Sequence, residues 1–178
     1  MRKLIFLLFS CWILNSDTAA QITAAGEQLK AACARAGKEN KNVFVMFTAS
    51  WCGWCHRMKN SMNDGDVKAY FDASFIPLYF VVDESADNKS LETPGAQAIR
   101  TQYGGDNQGI PFWLIFDKDG NLLADSMKPD GSSNEKINSG CPAEPEEVDY
   151  FISVLKKTTK LSEDQLEKIE KRFRKNKG

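Results

Sequence analysis

Two apolar runs with no polar interruption, Val43-Phe44-Val45-Met46-Phe47 and Phe112-Trp113-Leu114-Ile115-Phe116, dominate the hydrophobic pattern of the chain. Their length, β-branched and aromatic content and lack of alternation predict strands buried on both faces. A further buried strand is expected over residues 75–82, with Pro77 near its start. The segments around them carry helical spacing. Over residues 21–37 the apolar positions are Ile22, Ala25, Leu29, Ala32, Cys33 and Ala36, and Gly37 is the expected stop. From Cys52 onward, Cys55, Met58 and Met62 share one face, with Arg57, Lys59 and Asn60 on the others. Asn63-Asp64-Gly65-Asp66 interrupts that helix and residues 67–71 resume it. Residues 94–103 read as a helix opened by proline and closed by Gly104-Gly105. Residues 146–157 turn Val148, Phe151, Ile152 and Leu155 inward.

The remaining segments connect these elements. Asp117-Lys118-Asp119-Gly120-Asn121 is a turn with Asp-Gly at its centre, and residues 122–125 return antiparallel to the preceding strand. Residues 126–145, rich in Gly, Ser and Pro, are expected to be a loop insertion. Ser162 and Gln165 have capping-box spacing for a last helix with a thin stripe of Leu166, Ile169 and Phe173. Its basic end, residues 171–175, is expected to fray as a solvated face. Strands joined through helices should be parallel, so the order predicts an α/β fold: a central mixed sheet of about four strands flanked by helices.

Composition narrows the class. At 178 residues with 42% apolar content, the chain can bury one domain's core. A formal net charge of −1 offers no argument for nucleic acid. Arg2-Lys3, the apolar stretch from Leu4 to Leu14 and the small Thr18-Ala19-Ala20 read as a secretory signal peptide over residues 1–20. Removing it takes away Arg2, Lys3 and Asp17, which leaves 21 basic and 23 acidic residues. Leu8-Phe9-Ser10-Cys11 loosely resembles a lipobox, so a membrane tether is expected only if Cys11 is lipidated. The expected compartment is therefore exported, as in a periplasm, where disulfides persist.

The chemistry concentrates in Trp51-Cys52-Gly53-Trp54-Cys55-His56, at a break from strand to helix. The first turn of a helix has unpaired N–H groups and the positive end of the dipole, which favour a thiolate. Two intervening residues allow the sulfurs to bond. Cys52 is expected at an exposed tip as nucleophile, with Cys55 one turn inward to resolve the mixed disulfide. Other readings of the same residues exist. A structural zinc site would need a second ligand pair, and Cys11, Cys33 and Cys141 stand singly. Cys52, Cys55 and His56 also spell the c-type haem attachment signature, with Met58, Met62 or Met127 to complete the iron. An inert disulfide closing so short a loop removes little chain entropy.

The strand leading into Trp51-Cys52-Gly53-Trp54-Cys55, together with Ile110-Pro111 before another strand, resembles the exported thioredoxin-like proteins. The resemblance spans residues 21–157, leaving 158–178 as a C-terminal helical extension. It implies a thioredoxin-like fold and a thiol:disulfide oxidoreductase without metal or cofactor. It also implies a cis Ile110–Pro111 bond whose backbone pairs with an extended substrate. Trp51, Gly53, Trp54, Ile110 and Pro111 would contact that substrate, with Trp51 as an apolar wall or simply a core residue. Implied partners are proteins carrying disulfides or dithiols and an upstream redox partner; cytochrome c maturation is one such pathway. A peptide-binding module without catalysis is the other class open to such a fold. The chain departs from thioredoxins at Met46, where they carry a buried acid, and in a Gly-Trp rather than Gly-Pro dipeptide. His56 either adds a titratable charge near Cys52 or faces solvent. Cys33 and Cys141 are left as a candidate pair.

Overall fold

A computed structural model describes residues 23–133 and 135–177. The expected leader, and with it Cys11, lies outside the described residues. The chain runs α1 (Ala24–Glu39), β1 (Asn42–Thr48), α2 (Gly53–Met62), α3 (Lys68–Ser74), β2 (Phe75–Val81), α4 (Ala96–Gln102), β3 (Phe112–Phe116) and β4 (Leu122–Asp125). It continues through β5 (Met127–Pro129), β6 (Lys136–Asn138), α5 (Pro145–Thr158) and α6 (Glu163–Arg174). The main sheet has the order β2-β1-β3-β4. β1 pairs parallel with β2 and antiparallel with β3, and β4 pairs antiparallel with β3.

The uninterrupted apolar runs have a two-sided explanation. Successive strand residues point to opposite faces. Val43, Val45, Phe47, Phe112, Leu114 and Phe116 enter one core beneath α1 and α4. Phe44, Met46, Trp113 and Ile115 enter a second core, shared with α2, α3, α5 and α6. Neither face of β1 or β3 meets water, so neither strand alternates. The second core is held by aromatic contacts such as Phe44–Trp113 at 5.8 Å and Phe151–Phe173 at 4.9 Å between ring centres.

These two cores rule out the Cys33–Cys141 pair. Cys33 lies in the first and Cys141 in the second, across the sheet from each other, and both are free thiols. Three further expectations need correction. Gly37 does not stop α1; the helix runs on to Glu39 and is closed by Asn40 in the left-handed region, with φ 53°. The 126–145 insertion is not all loop, because β5 and β6 pair within it as a small antiparallel sheet. The basic end does not fray. Arg172 bonds Asp64 at 2.6 Å and Arg174 bonds Asp149 at 2.6 Å. Just beyond α6, Asn176 is buried, accepting from Ser61 Oγ at 2.8 Å and donating to the Pro142 carbonyl at 3.0 Å. The chain past α6 thus ties the active helix α2 to the start of α5. The N–H of Asp66 and the Arg172 guanidinium hold the Asp64 carboxyl below its ordinary value.

Burial pushes the Cys141 thiol from an ordinary value near 9 up to about 12. Burial, helped by the Asp125 charge, pushes Tyr150 from near 10 to about 12. In alkali the unfolded chain releases these protons before the folded chain does. The stability they contribute is therefore complete below about pH 9 and is lost as pH rises toward 12. The melting temperature should fall progressively over that window. Cys141→Ala should flatten the lower part of the slope; an identical slope in the variant would contradict the assignment.

Candidate active site

β1 ends at Thr48, and Ala49-Ser50-Trp51 turns the chain into α2. Cys52 is the N-cap of that helix, in extended conformation, and its Sγ accepts a hydrogen bond from the Cys55 N–H at 3.1 Å. An N-cap side chain that takes an orphan N–H of the first turn sits where the helix most favours negative charge. Cys52 and Cys55 are joined in a disulfide, with their Cα atoms 5.3 Å apart.

Cys52 is not the exposed tip that its place in the sequence suggests; it is 3% exposed and Cys55 1%. The segment before β3 closes over it. The Ile110–Pro111 peptide is cis, and the Ile110 carbonyl oxygen lies 3.6 Å from Cys52 Sγ. The exposed apolar surface here belongs to the two tryptophans, Trp51 at 60% and Trp54 at 50%. Trp51 is therefore no core residue; its Nε1 donates to the Asp83 carbonyl at 2.8 Å. The Arg57 guanidinium lies over the Trp54 ring, 4.7 Å from its centre. A Cβ at Gly53 would meet no other atom within 4 Å, so that position leaves open space beside the disulfide.

Ser50 is the hub of the turn before Cys52. Its N–H donates to Glu84 Oε1 at 2.5 Å and its hydroxyl to Glu84 Oε2 at 2.8 Å. Its carbonyl accepts from His56 Nε2 at 2.9 Å, which ties the solvent-exposed His56 ring to the turn. Glu84 is 4% exposed and lines, with Met46 and Cys55, one cavity of about 320 Å³. Position 46 brings no acid to this cavity, but the chain just past β2 does. Arg100, also buried, donates to the carbonyls of Gly105 at 2.9 Å and Gln108 at 2.6 Å and to the Asp83 carboxylate at 2.5 Å. It thereby fastens the loop leading to Ile110 onto the residue that holds Trp51.

Glu84 and Arg100 were not expected from the sequence. A signal for Glu84 existed in the topology: β1 and β2 run parallel with Thr48 opposite Val81, so residues just past each strand emerge side by side. Arg100 had no such signal, since an arginine on a short helix ordinarily faces water.

The groups a haem would use are committed elsewhere. The two sulfurs are bonded to each other, His56 Nε2 to Ser50, and Met58 and Met62 are buried in the core. Met127 packs against the core on the opposite side of the sheet. Among the described residues no three His, Cys, Asp or Glu side chains group as a metal site, and no helix is long and apolar enough to cross a membrane.

The family model described as Thioredoxin-like matches residues 22–118, from α1 through β3. The chain belongs to the thioredoxin-like family. With its bonded cysteine pair in the Trp-Cys-Gly-Trp-Cys motif, it is a thiol:disulfide oxidoreductase of that family. No curated protein matches the chain. Among solved structures it is similar to the disulphide isomerase from Xylella fastidiosa Temecula1, at 23% identity over 64% of this chain and 79% of that one, with a TM-score of 0.46. It is also similar to the DsbD C-terminal domain of Neisseria meningitidis in the oxidised form, at 27% identity over 58% and 83%, with a TM-score of 0.41. A DsbH oxidoreductase matches at 20% identity over 70% and 79%, with a TM-score of 0.40.

Glu84→Ala removes both bonds between Ser50 and Glu84 at once, leaving only the His56 bond at Ser50. It should cost about 1.5–3 kcal/mol in urea unfolding, the range for hydrogen bonds to a charged group. It should also speed amide exchange at Ser50. Unchanged stability would show that the turn holds without the carboxylate.

Proposed function

We propose that this oxidoreductase acts on exported proteins, with Cys52 as nucleophile and Cys55 as resolving thiol. The observation that carries the reading is Cys52 Sγ at the N-cap of α2, with the Cys55 N–H directed at it. In the reduced enzyme, the Cys52 thiolate attacks one sulfur of a substrate disulfide. A Cys52–substrate disulfide forms and the other substrate sulfur leaves as a thiolate, which takes up a proton. Cys55 then loses its proton and attacks Cys52 Sγ. The enzyme disulfide closes and the second substrate thiol is released. Two electrons pass from the enzyme dithiol to the substrate; run in reverse, the same steps oxidise it.

The surrounding residues have distinct parts in this reading. Glu84 is the one carboxylate lining the cavity that Cys55 also lines, and it holds the Ser50 turn before Cys52 in place through the exchange. Trp51, Trp54, Ile110 and Pro111 contact the substrate around the disulfide, and Gly53 keeps the approach open. His56 modulates the site through the Ser50 carbonyl. An upstream redox partner resets the pair after each turnover. Export to a periplasm rests on residues 1–20, and a lipid on Cys11 would tether the enzyme to the membrane.

Redox titration of the Cys52/Cys55 pair against glutathione or dithiothreitol assigns the direction. A potential at the reducing end of the range, near thioredoxin at about −270 mV, places the enzyme in reduction of disulfides in exported proteins, those of apocytochromes before haem attachment included. One near about −120 mV makes it a disulfide donor. In either case Cys52→Ser should abolish exchange with protein disulfides, and Cys55→Ser should accumulate the mixed disulfide. Full exchange activity without Cys52 would refute the assignment.

A further inference from the structure

The C-terminal extension lies beyond the matched residues 22–118, and it packs against the helix that carries the disulfide. One residue makes the join. Asn176, 3% exposed, accepts from Ser61 Oγ and, through its backbone carbonyl, from Arg57 Nη1. Its Oδ1 also accepts from Arg172 Nη1 at 3.2 Å. Two arginines, one on α2 and one on α6, are thus oriented by carbonyl oxygens of the same residue. A carbonyl holds a guanidinium in place without cancelling its charge.

Between α2 and the extension runs a groove of about 560 Å³. Gly53, Arg57 and Asn60 line it on one side, Arg172 and Lys175 on the other. The first three follow one another at helical spacing, so the groove starts between the two cysteines and runs along the exposed side of α2. Arg57, Arg172 and Lys175 are permanent cations. Asp64 is the one carboxylate in the lining, and Arg172 already bonds it at 2.6 Å. His56, on the same rim, is neutral or positive and never negative. The whole chain has a formal net charge of −1, so this excess of positive charge is local. Like charges gathered along one groove repel each other, and an anionic occupant relieves that repulsion. Asn176 fixes the arginines beforehand, so little side-chain freedom is lost when the occupant arrives.

We propose that this groove docks an acidic segment of the protein that exchanges disulfides with Cys52, an inference that rests on the oxidoreductase reading above. The helix rises about 10 Å from Gly53 to Asn60, the length of about three residues of extended chain. With the partner's cysteine at Cys52, its carboxylates therefore stand within a few residues of that cysteine. The groove shares no lining residue with the cis-proline segment, and it selects by charge.

The test measures kcat/KM of the reduced full-length enzyme for peptide disulfides that carry a run of Glu, Gln or Lys beside the cysteine, together with the uncharged hydroxyethyl disulfide. At low ionic strength the Glu peptide should exceed the Lys peptide by roughly tenfold or more, within the range that electrostatic steering supplies. At 1 M salt, where the screening length is about 3 Å, that difference should collapse while the hydroxyethyl disulfide rate stays nearly constant. Lys175→Glu, at an exposed position, should remove most of the preference, with the change falling on KM. Lys30→Glu makes the same change in net charge on α1, across the sheet from α2, and should keep the preference. Equal rates for the Glu and Lys peptides, a preference that survives Lys175→Glu, or equal losses in the two variants would overturn the groove alone. An enzyme inert to every disulfide, hydroxyethyl disulfide included, would remove the oxidoreductase reading, and the groove with it.

Discussion

One hydrogen bond organises the active end of this protein: the N–H of Cys55 directed at the sulfur of Cys52. It exists because β1 stops at Thr48 and α2 begins at Gly53, which makes Cys52 the residue that caps the helix. Ser, Thr, Asp and Asn hold that position in most helices because an oxygen accepts the orphan N–H. Here a sulfur does so, and the same field that rewards an oxygen acceptor rewards a thiolate. The turn that sets this geometry is held from the side by Glu84 and His56 through Ser50. The reactivity of one atom therefore depends on where a strand ends, and the position of that end depends on the sheet.

The sheet can impose it because β1 is buried on both faces and paired on both edges. A one-residue slip would exchange the two sets of side chains between the cores beneath α1 and beneath α2. Its register fixes the level at which residues 49–52 emerge, and parallel pairing brings the end of β2 to the same level. β3 lies on the other side of β1, and the cis-proline segment that precedes it crosses over Cys52. Arg100 and Asn138 then fix this segment from its two sides, through backbone carbonyls in each case.

What the sequence revealed follows the range of the interactions concerned. The strands 43–47 and 112–116, the helix after Cys52 and the Ser162–Gln165 capping box are local patterns, and each stands where the pattern places it. The place of Cys52 at a helix start was likewise legible, because a helix start is local. The burial of Cys52 was not, since it comes from Ile110, 58 residues away. The same holds for Glu84 beside Ser50 and for Asn176 beside Ser61, whose partners lie far along the chain. Composition misled in two places. A Gly/Ser/Pro-rich stretch still formed β5 and β6, and a run of basic residues, though it faces solvent as expected, is held by ion pairs instead of fraying. Cys33 and Cys141 looked like a pair only because a one-dimensional count cannot show which side of a sheet a residue occupies.

The pH dependence of alkylation at Cys52 in the reduced protein, followed peptide by peptide in a mass spectrometer, tests the central claim most directly. The capped geometry predicts a thiolate that forms well below the value of about 8.5 for a free cysteine, while Cys141 stays protonated far above it. A Cys52 that reacts only at or above the free value would show that the helix start does not activate its sulfur.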